Sequence, residues 1–396
     1  MRIVFLATSS LDDPSPRGRW LPVAQQLALR GHRPQLLMLH PTYDRLVRRE
    51  AVIGGVLTRY VAQMHVYGPP GARRYYRPLA LLAVAMRGAL SLAAAALAAR
   101  PDVVHICKPQ PISGLAGLIA AGRGAQLYLD CDDYEAGANR FGAAWQRRGV
   151  TLWEDHLPRL ARAVSVNTRF LARRVEAGGV PPRRVCYVPN GVVAQRLVRH
   201  DARQRAALRA GLGLGDAPTA AYVGAMSTVA HGTALLLDAF AQLLRQLPRA
   251  RLLMVGDGDD RSALQRRAAD LGLADAIVWT GRVAPAAARA LLECADVSVD
   301  PVEDTPGAAA RSPLKIVESM ALGVPVVTGD VGDRGEMLGQ TAGITVLPGD
   351  AAALALGLAA VLSDPQRRAA LTAGAELRAE HYTWERLIGG WENQYA

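Results

Sequence analysis

Short apolar runs alternate with longer helix-patterned stretches along the whole of this 396-residue chain, and few architectures accommodate that alternation. The runs at 2–7, 34–39, 56–61, 102–107, 126–130, 163–167 and 185–188 read as strands. Helical stretches fall between them at 19–30, 79–99, 113–122, 143–160 and 169–177. The second half continues with strands at 219–223, 251–255, 277–280, 297–300, 325–328 and 343–346, separated by helices at 232–246, 260–272, 285–294, 313–322 and 351–363. Alternating strands and helices imply α/β folding, with parallel sheets covered by helices on both faces. One core does not serve a chain of this length. The expectation is two doubly wound, Rossmann-like domains, 1–195 and 196–371, facing an interdomain cleft. A terminal segment, 372–396, carries Trp384, Trp391 and Tyr395 and is expected to pack back against the first domain.

Charged residues make up 20% of the chain and apolar residues 50%, as in a folded enzyme rather than a disordered segment. Cys107, Cys131, Cys186 and Cys294 form no CxxC pair, which argues against a zinc site or a disulfide framework and fits a reducing cytosol. Arg2-Ile-Val-Phe-Leu-Ala7 starts a strand with no signal peptide ahead of it, so the expected location is cytoplasmic, with the basic first half adding a peripheral place on the inner membrane face as a further expectation. The net charge of +11 is uneven: residues 1–200 hold 28 Lys and Arg against 12 Asp and Glu, and residues 201–396 hold 18 against 23. Residues 51–100 contain six arginines and no acid. A basic first half makes an anionic partner, such as a membrane surface touched by Arg73-Arg-Tyr-Tyr-Arg77, an expected one. Nucleic acid is not expected, since net charge alone would support it and no reading motif is present. The apolar stretch 79–99 carries Arg87 near its middle and is read as a buried helix packed on a sheet rather than a membrane span.

Only two of the 46 basic residues are lysine, Lys108 and Lys315. Lys315 lies in Arg311-Ser-Pro-Leu-Lys-Ile-Val-Glu-Ser-Met-Ala-Leu-Gly-Val-Pro-Val-Val327. Ser312 reads as an N-cap with Pro313 at the first helical position, which would aim free N–H groups and the positive end of the helix dipole at an anion. Lys315 and Glu318 share a helix face. A cation beside amides suits a diphosphate, and a carboxylate one turn deeper suits ribose hydroxyls. The same spacing also suits an ordinary capped helix with an i,i+3 ion pair.

Pro313-Leu-Lys-Ile-Val-Glu-Ser-Met-Ala-Leu-Gly-Val-Pro-Val-Val resembles the donor-domain signature of glycosyltransferase family 4. Val188-Pro-Asn-Gly191, Tyr222-Val-Gly, Met254-Val-Gly-Asp-Gly258 and Ala295-Asp-Val fall in that family's order and spacing. The resemblance implies a GT-B fold and transfer of sugar from a nucleotide-sugar with retention of configuration. It further implies that Glu318 binds the donor ribose, that backbone around Ser312, Pro313 and Leu314 holds phosphate, and that backbone near Arg282 and Val283 faces the base. Gly18, Gly224, Gly232 and Gly256 would allow close backbone approach to the donor. No metal and no cofactor are expected. The family's usual Arg and Lys after the first donor-domain strand are Ala225 and His231 here, and its first Glu is Ala310. Arg311, Lys315 and His231 are then the expected clamp on the leaving diphosphate, with Lys315, Glu318, His231 and Lys108 as the expected catalytic set.

On the acceptor side, His105-Ile-Cys-Lys108 ends one strand and Asp130-Cys-Asp-Asp-Tyr-Glu135 another. His105 suits a core position and Cys107 a packed small residue. Lys108, Asp132, Asp133, Asn139 and Arg140 are the expected acceptor contacts, at the strand ends where open α/β sheets bind ligands. Two other classes remain open: a non-catalytic binding protein on the same fold, favoured by Ala225 and Ala310, and a nucleotide-sugar 2-epimerase, whose carboxylate and histidine pattern is not evident. A nicotinamide oxidoreductase is disfavoured because Thr8–Gly18 has no GxGxxG.

Overall fold

The computed structural model describes residues 1–69, 73–138, 141–193 and 199–395. They form two compact units, Met1–Gly191 with Trp384–Ala396, and Val192–Thr383. The changeovers thus fall at 191/192 and 383/384, where the sequence reading set 195/196 and 371/372. The helix Pro365–Ala379 stays in the second unit, and only the last helix, Trp384–Asn393, joins the first.

The first unit contains β1 (Arg2–Ala7), β2 (Arg33–His40), β3 (Glu50–Ile53), β4 (Val56–Gln63), β5 (Val66–Tyr67), β6 (Arg74–Tyr75), β7 (Val103–Ile106), β8 (Gln126–Cys131), β9 (Ala163–Val166) and β10 (Val185–Tyr187). Eight of them build a sheet in the order β10-β9-β8-β7-β1-β2-β4-β3, parallel except for the β3–β4 hairpin, while β5 and β6 pair as a separate ribbon. Val4 of β1 faces Gln35 on one side and Val104 on the other. The central strands are buried on both faces, which is why they read as unbroken apolar runs. The hairpin was not legible as a strand pair. It turns on Gly54-Gly55, both with positive φ (58° and 80°), the backbone a two-residue turn between twisted strands requires.

The apolar stretch at 79–99 forms the helix Pro78–Ala98, but it is not the buried helix the sequence implied. Gly88, Ala89, Leu92, Ala93 and Ala96 are buried in its C-terminal half, whereas Leu79, Leu82, Met86 and Leu90 are exposed. An all-round apolar composition hides which face is covered.

The second unit holds β11 (Thr219–Val223), β12 (Arg251–Val255), β13 (Ile277–Gly281), β14 (Val297–Asp300), β15 (Val326–Gly329) and β16 (Gly343–Val346) in one parallel sheet. Their order is β13-β12-β11-β14-β15-β16. Tyr222, Leu236, Phe240, Met254 and Leu358 fill one face and Leu253, Val255, Leu292 and Val324 the other. In both sheets the chain works outward in two directions from a central pair, β1/β7 and β11/β14. Such a switch point opens a crevice at the carboxyl ends of the strands.

Candidate functional site

In the second unit the β11/β14 crevice gathers a charged cluster. Asp300, the last residue of β14, is buried. Its Oδ1 lies 3.1 Å from Lys315 Nζ, and its Oδ2 accepts Arg334 Nε–H at 2.8 Å. Burial raises the Asp300 pKa, but the Lys315 ammonium and Arg334 guanidinium more than offset this and hold it far below the usual carboxylate range. Lys315 Nζ also stands 4.3 Å from the centre of the Tyr222 ring, which keeps it over the end of β11. A side chain at Gly224 would bring its Cβ within 3.4 Å of that ammonium. The Lys315 ammonium carries three N–H donors, so pairing with Asp300 beside Tyr222 still leaves donor capacity for a ligand. Lys315 turns to Asp300 rather than to Glu318, which replaces the i,i+3 pair left open by the sequence.

The helix that carries Lys315 is Leu314–Ala321, one residue shorter at its start than expected. Pro313 occupies the cap position, and Ser312 is buried before it. Proline has neither a side-chain acceptor nor an N–H, so the cap envisaged for Ser312 is displaced. The first intrahelical bond runs from Ile316 N–H to the Pro313 carbonyl at 3.1 Å, which leaves the Leu314 and Lys315 amides ahead of it. One turn on, Glu318 is half-buried, and burial raises its carboxyl pKa against the pull of Arg289.

His231 ends the short helix Thr228–His231 and lies within the field of Lys315, Arg311 and Arg334. Burial first, and then Lys315 and Arg311, push its pKa down to about 3. It is therefore neutral at physiological pH and offers the expected clamp an N–H donor or a lone-pair acceptor rather than a positive charge. Gly232 follows at φ 57°, and a Cβ there would stand 2.7 Å from the Pro301 carbonyl oxygen, so the segment is pressed onto the end of β14. A Cβ on Gly256 would fall 2.0 Å from the Gly224 carbonyl oxygen; the loops after β11 and β12 pack backbone on backbone. Arg282 is exposed after β13, and Val283 packs against the apolar cluster that contains Leu253 and Leu291. Ala310 is fully buried. Asp300, Arg334 and Tyr222 were missed as site residues. The one sequence signal was an acid ending the apolar strand Val297-Ser-Val-Asp300.

In the first unit the β1/β7 crevice holds a second cluster. Lys108, just beyond β7, reaches Asp132 Oδ1 at 3.1 Å and Glu135 Oε1 at 2.5 Å. Burial opposes its charge, but Asp132, Glu135 and Asp133 keep its pKa well above the usual lysine value. Gln110 Nε2 donates to Glu135 Oε2 at 2.6 Å, and the Thr8 hydroxyl donates to Gln110. Glu154 accepts the Glu135 and Ala136 amides at 2.8 and 3.2 Å, and burial pushes its carboxyl up to about 7. Close by, Ser9 Oγ and His65 Nδ1 are buried without hydrogen-bond partners. Asp133 is half-buried, with its carboxylate on the Tyr134 amide at 2.9 Å. Asn139 and Arg140 lie outside the described residues. Asp130 faces inward, accepting Arg19, Trp20 Nε1 and Ser165 within 2.8 Å.

His105 is a core residue, stacked on Phe5 and Trp391, with its Nδ1 taking the Tyr395 hydroxyl at 2.9 Å. Burial lowers its pKa to about 3 and raises the Cys107 thiol well above the usual value, so neither is poised for chemistry. Gly18 lies in a helical turn, Pro16–Trp20, rather than in a loop, and its carbonyl accepts Trp384 Nε1 at 3.2 Å. Among the described residues no group of three or more His, Cys, Asp or Glu side chains converges as a metal site.

The sequence pattern described as "Glycosyl transferases group 1" matches residues 217–364, and that described as "Glycosyl transferase 4-like domain" matches residues 18–191. The GDP-mannose-dependent alpha-(1-6)-phosphatidylinositol monomannoside mannosyltransferase of Mycolicibacterium smegmatis is 31% identical over 230 residues, 57% of this chain and 59% of the relative. The D-inositol 3-phosphate glycosyltransferase of Geodermatophilus obscurus is 32% identical over 253 residues, 61% of this chain and 54% of the relative. The matches thus span just over half the length of these relatives. Among solved structures, sucrose-phosphate synthase from Thermosynechococcus elongatus superposes with a TM-score of 0.79 at 18% identity, covering 100% of this chain and 98% of the other. HepE from Anabaena, in complex with UDP and glucose, gives 0.75 at 17%, covering 100% and 99%. These likenesses show the fold, which is GT-B. With both halves matched, the chain belongs to the group 1, family-4-like glycosyltransferases.

Proposed function

From this membership we propose that the chain transfers a sugar from a nucleotide-sugar to a hydroxyl of its acceptor, with retention of configuration. The donor diphosphate occupies the β11/β14 crevice. The observation that carries this is Lys315, a buried ammonium with donors in reserve beside the leading amides of the Leu314–Ala321 helix. Charge develops on the leaving diphosphate as the glycosidic bond breaks. Fixed donors aimed at that charge act strongly in a site shielded from water. Arg311 adds positive charge in place of the family's missing Arg and Lys, and neutral His231 supplies a single hydrogen bond. Glu318 holds the ribose hydroxyls. The leaving phosphate takes the acceptor's proton, which asks for no protein base.

The acceptor is assigned to the first unit's cluster. Lys108 is already balanced there by Asp132 and Glu135, with Asp133 near, so the cluster suits an uncharged polyol better than an anion. GDP-mannose is the first donor to test, because it is the donor named for the mannosyltransferase relative.

Titration calorimetry with GDP-, UDP- and ADP-sugars, for the wild type and for Lys315→Ala, tests the reading. One diphosphate sugar is expected to bind, and Lys315→Ala to weaken it by at least about tenfold, the loss of a charge-assisted hydrogen bond. Affinity for the unphosphorylated nucleoside should be unchanged. Diphosphate affinity that survives the substitution removes Lys315 from this role. Tight binding of a sugar nucleotide with no transfer to any polyol would favour the binding-protein alternative, which Ala225 and the neutral His231 motivate.

A further inference from the structure

The helix Pro78–Ala98 poses a problem that the transfer reaction does not absorb. Among the described residues it is the one helix long and apolar enough to cross a membrane, yet only 28% of its most apolar window is buried. Leu79, Leu82, Met86 and Leu90 are 85%, 61%, 47% and 53% exposed. At 3.6 residues per turn they share about 80° of arc, a continuous stripe rather than scattered exposure. The helix is not free to span a bilayer. Gly88, Ala89, Leu92, Ala93 and Ala96 are packed into the unit, and a Cβ on Gly88 would stand 3.3 Å from Leu39. An apolar stripe left outside, on a helix pinned from its middle onward, fits a surface into which it sinks sideways.

Charge selects among such surfaces. The β5–β6 ribbon runs into the helix at Pro78 and brings exposed Arg74, Tyr75 and Arg77 to its start; Arg87 flanks the stripe farther along. No acid occurs between residues 51 and 100. A second copy of the chain docked stripe to stripe about a twofold axis would set these arginines against their own equivalents. Anionic headgroups would neutralise them, and tyrosines beside an apolar face suit the same interfacial depth. We propose that the N-terminal half of this helix lies in the surface of an anionic lipid bilayer, with Leu79, Leu82, Met86 and Leu90 among the acyl chains and Arg74, Arg77 and Arg87 at the headgroups.

Flotation with vesicles of phosphatidylcholine alone, and of phosphatidylcholine mixed with phosphatidylglycerol, tests this on the full chain. The wild type should float with the anionic vesicles only, and less as salt rises. The triple variant L79S/L82S/M86S and the double variant R74E/R77E should each lose at least about tenfold in vesicle affinity. Their thermal unfolding should stay near that of the wild type, because these side chains are exposed. If one set fails to fold, the other still reads the surface. Absence of the wild type from anionic vesicles overturns the proposal, and so does flotation undiminished in the triple serine variant. A wild-type dimer by light scattering that the serine variant dissolves, with no flotation, assigns the stripe to self-association instead.

Discussion

Replacing Asp300 with asparagine leaves Lys315 and Arg334 buried with no counter-charge, and breaking a buried pair from one side costs about 3–5 kcal/mol. Asp300 has its pKa depressed by folding, so its contribution is present above the 3.8 of an ordinary aspartate and is lost as pH falls through and below it. Denaturant unfolding of Asp300→Asn and wild type should therefore differ at pH 7 and converge at low pH. An added nucleoside diphosphate should raise the variant's melting temperature more than the wild type's, since the ligand supplies the missing negative charge. Equal shifts would mean that the diphosphate does not meet these cations. Lys315 was legible in the sequence because lysine is rare here and a helix start is written beside it. Its partners were not, because Tyr222, Asp300 and Arg334 arrive from separate elements that only the strand order brings together.

At the level of elements, the parallel strands were readable from their apolar runs, since burial on both faces writes the same signal wherever it occurs. Pieces whose partners are distant or whose signal is short were not: the β3 hairpin, the β5–β6 ribbon, and the cap that moved from Ser312 to Pro313. The Pro78–Ala98 helix was readable as a helix but not as a half-exposed one, because composition cannot say which neighbour arrives. The contact between the loops after β11 and β12 also escaped, as a glycine in Met254-Val-Gly reads equally well as a loose turn. With the Gly224 carbonyl 2.0 Å from where a Cβ would stand, and φ at 132°, Gly256→Ala forces the two backbones apart. A stability loss of about 2–4 kcal/mol is expected in chemical denaturation, with weakened nucleotide binding because Gly224 borders Lys315. A loss under about 0.5 kcal/mol would show that the contact relaxes cheaply.

At the scale of the whole chain, the second unit is an insertion into the first, which opens at Met1 and is completed by Trp384–Ala396. Trp384 and Trp391 are fully buried in that first unit, and Tyr395 holds both Trp391 and His105. Deleting 384–396 removes two large aromatic side chains from a core, each worth about 3–5 kcal/mol by truncation. Residues 1–383 should show one cooperative unfolding transition, that of the second unit, and 192–383 alone should fold with the same midpoint. Two transitions in the truncated chain would contradict this. Basic character concentrated in the first unit was visible from charge counts alone, whereas the closing of that unit by the chain's end depended on which aromatic residues met.

The Phe5–His105–Trp391 stack sets an order of events during synthesis. Phe5 and His105 precede the inserted unit in the chain, and the Trp391 ring that covers His105 follows it. Until Trp391 has been made, the nascent sheet of the first unit waits with an open aromatic socket, while the inserted unit, contiguous in sequence, is free to fold on its own. Arrival of the segment after the inserted unit, rather than emergence of the first unit's own strands, then completes that unit, and holding the socket covered until then is a task for chaperones.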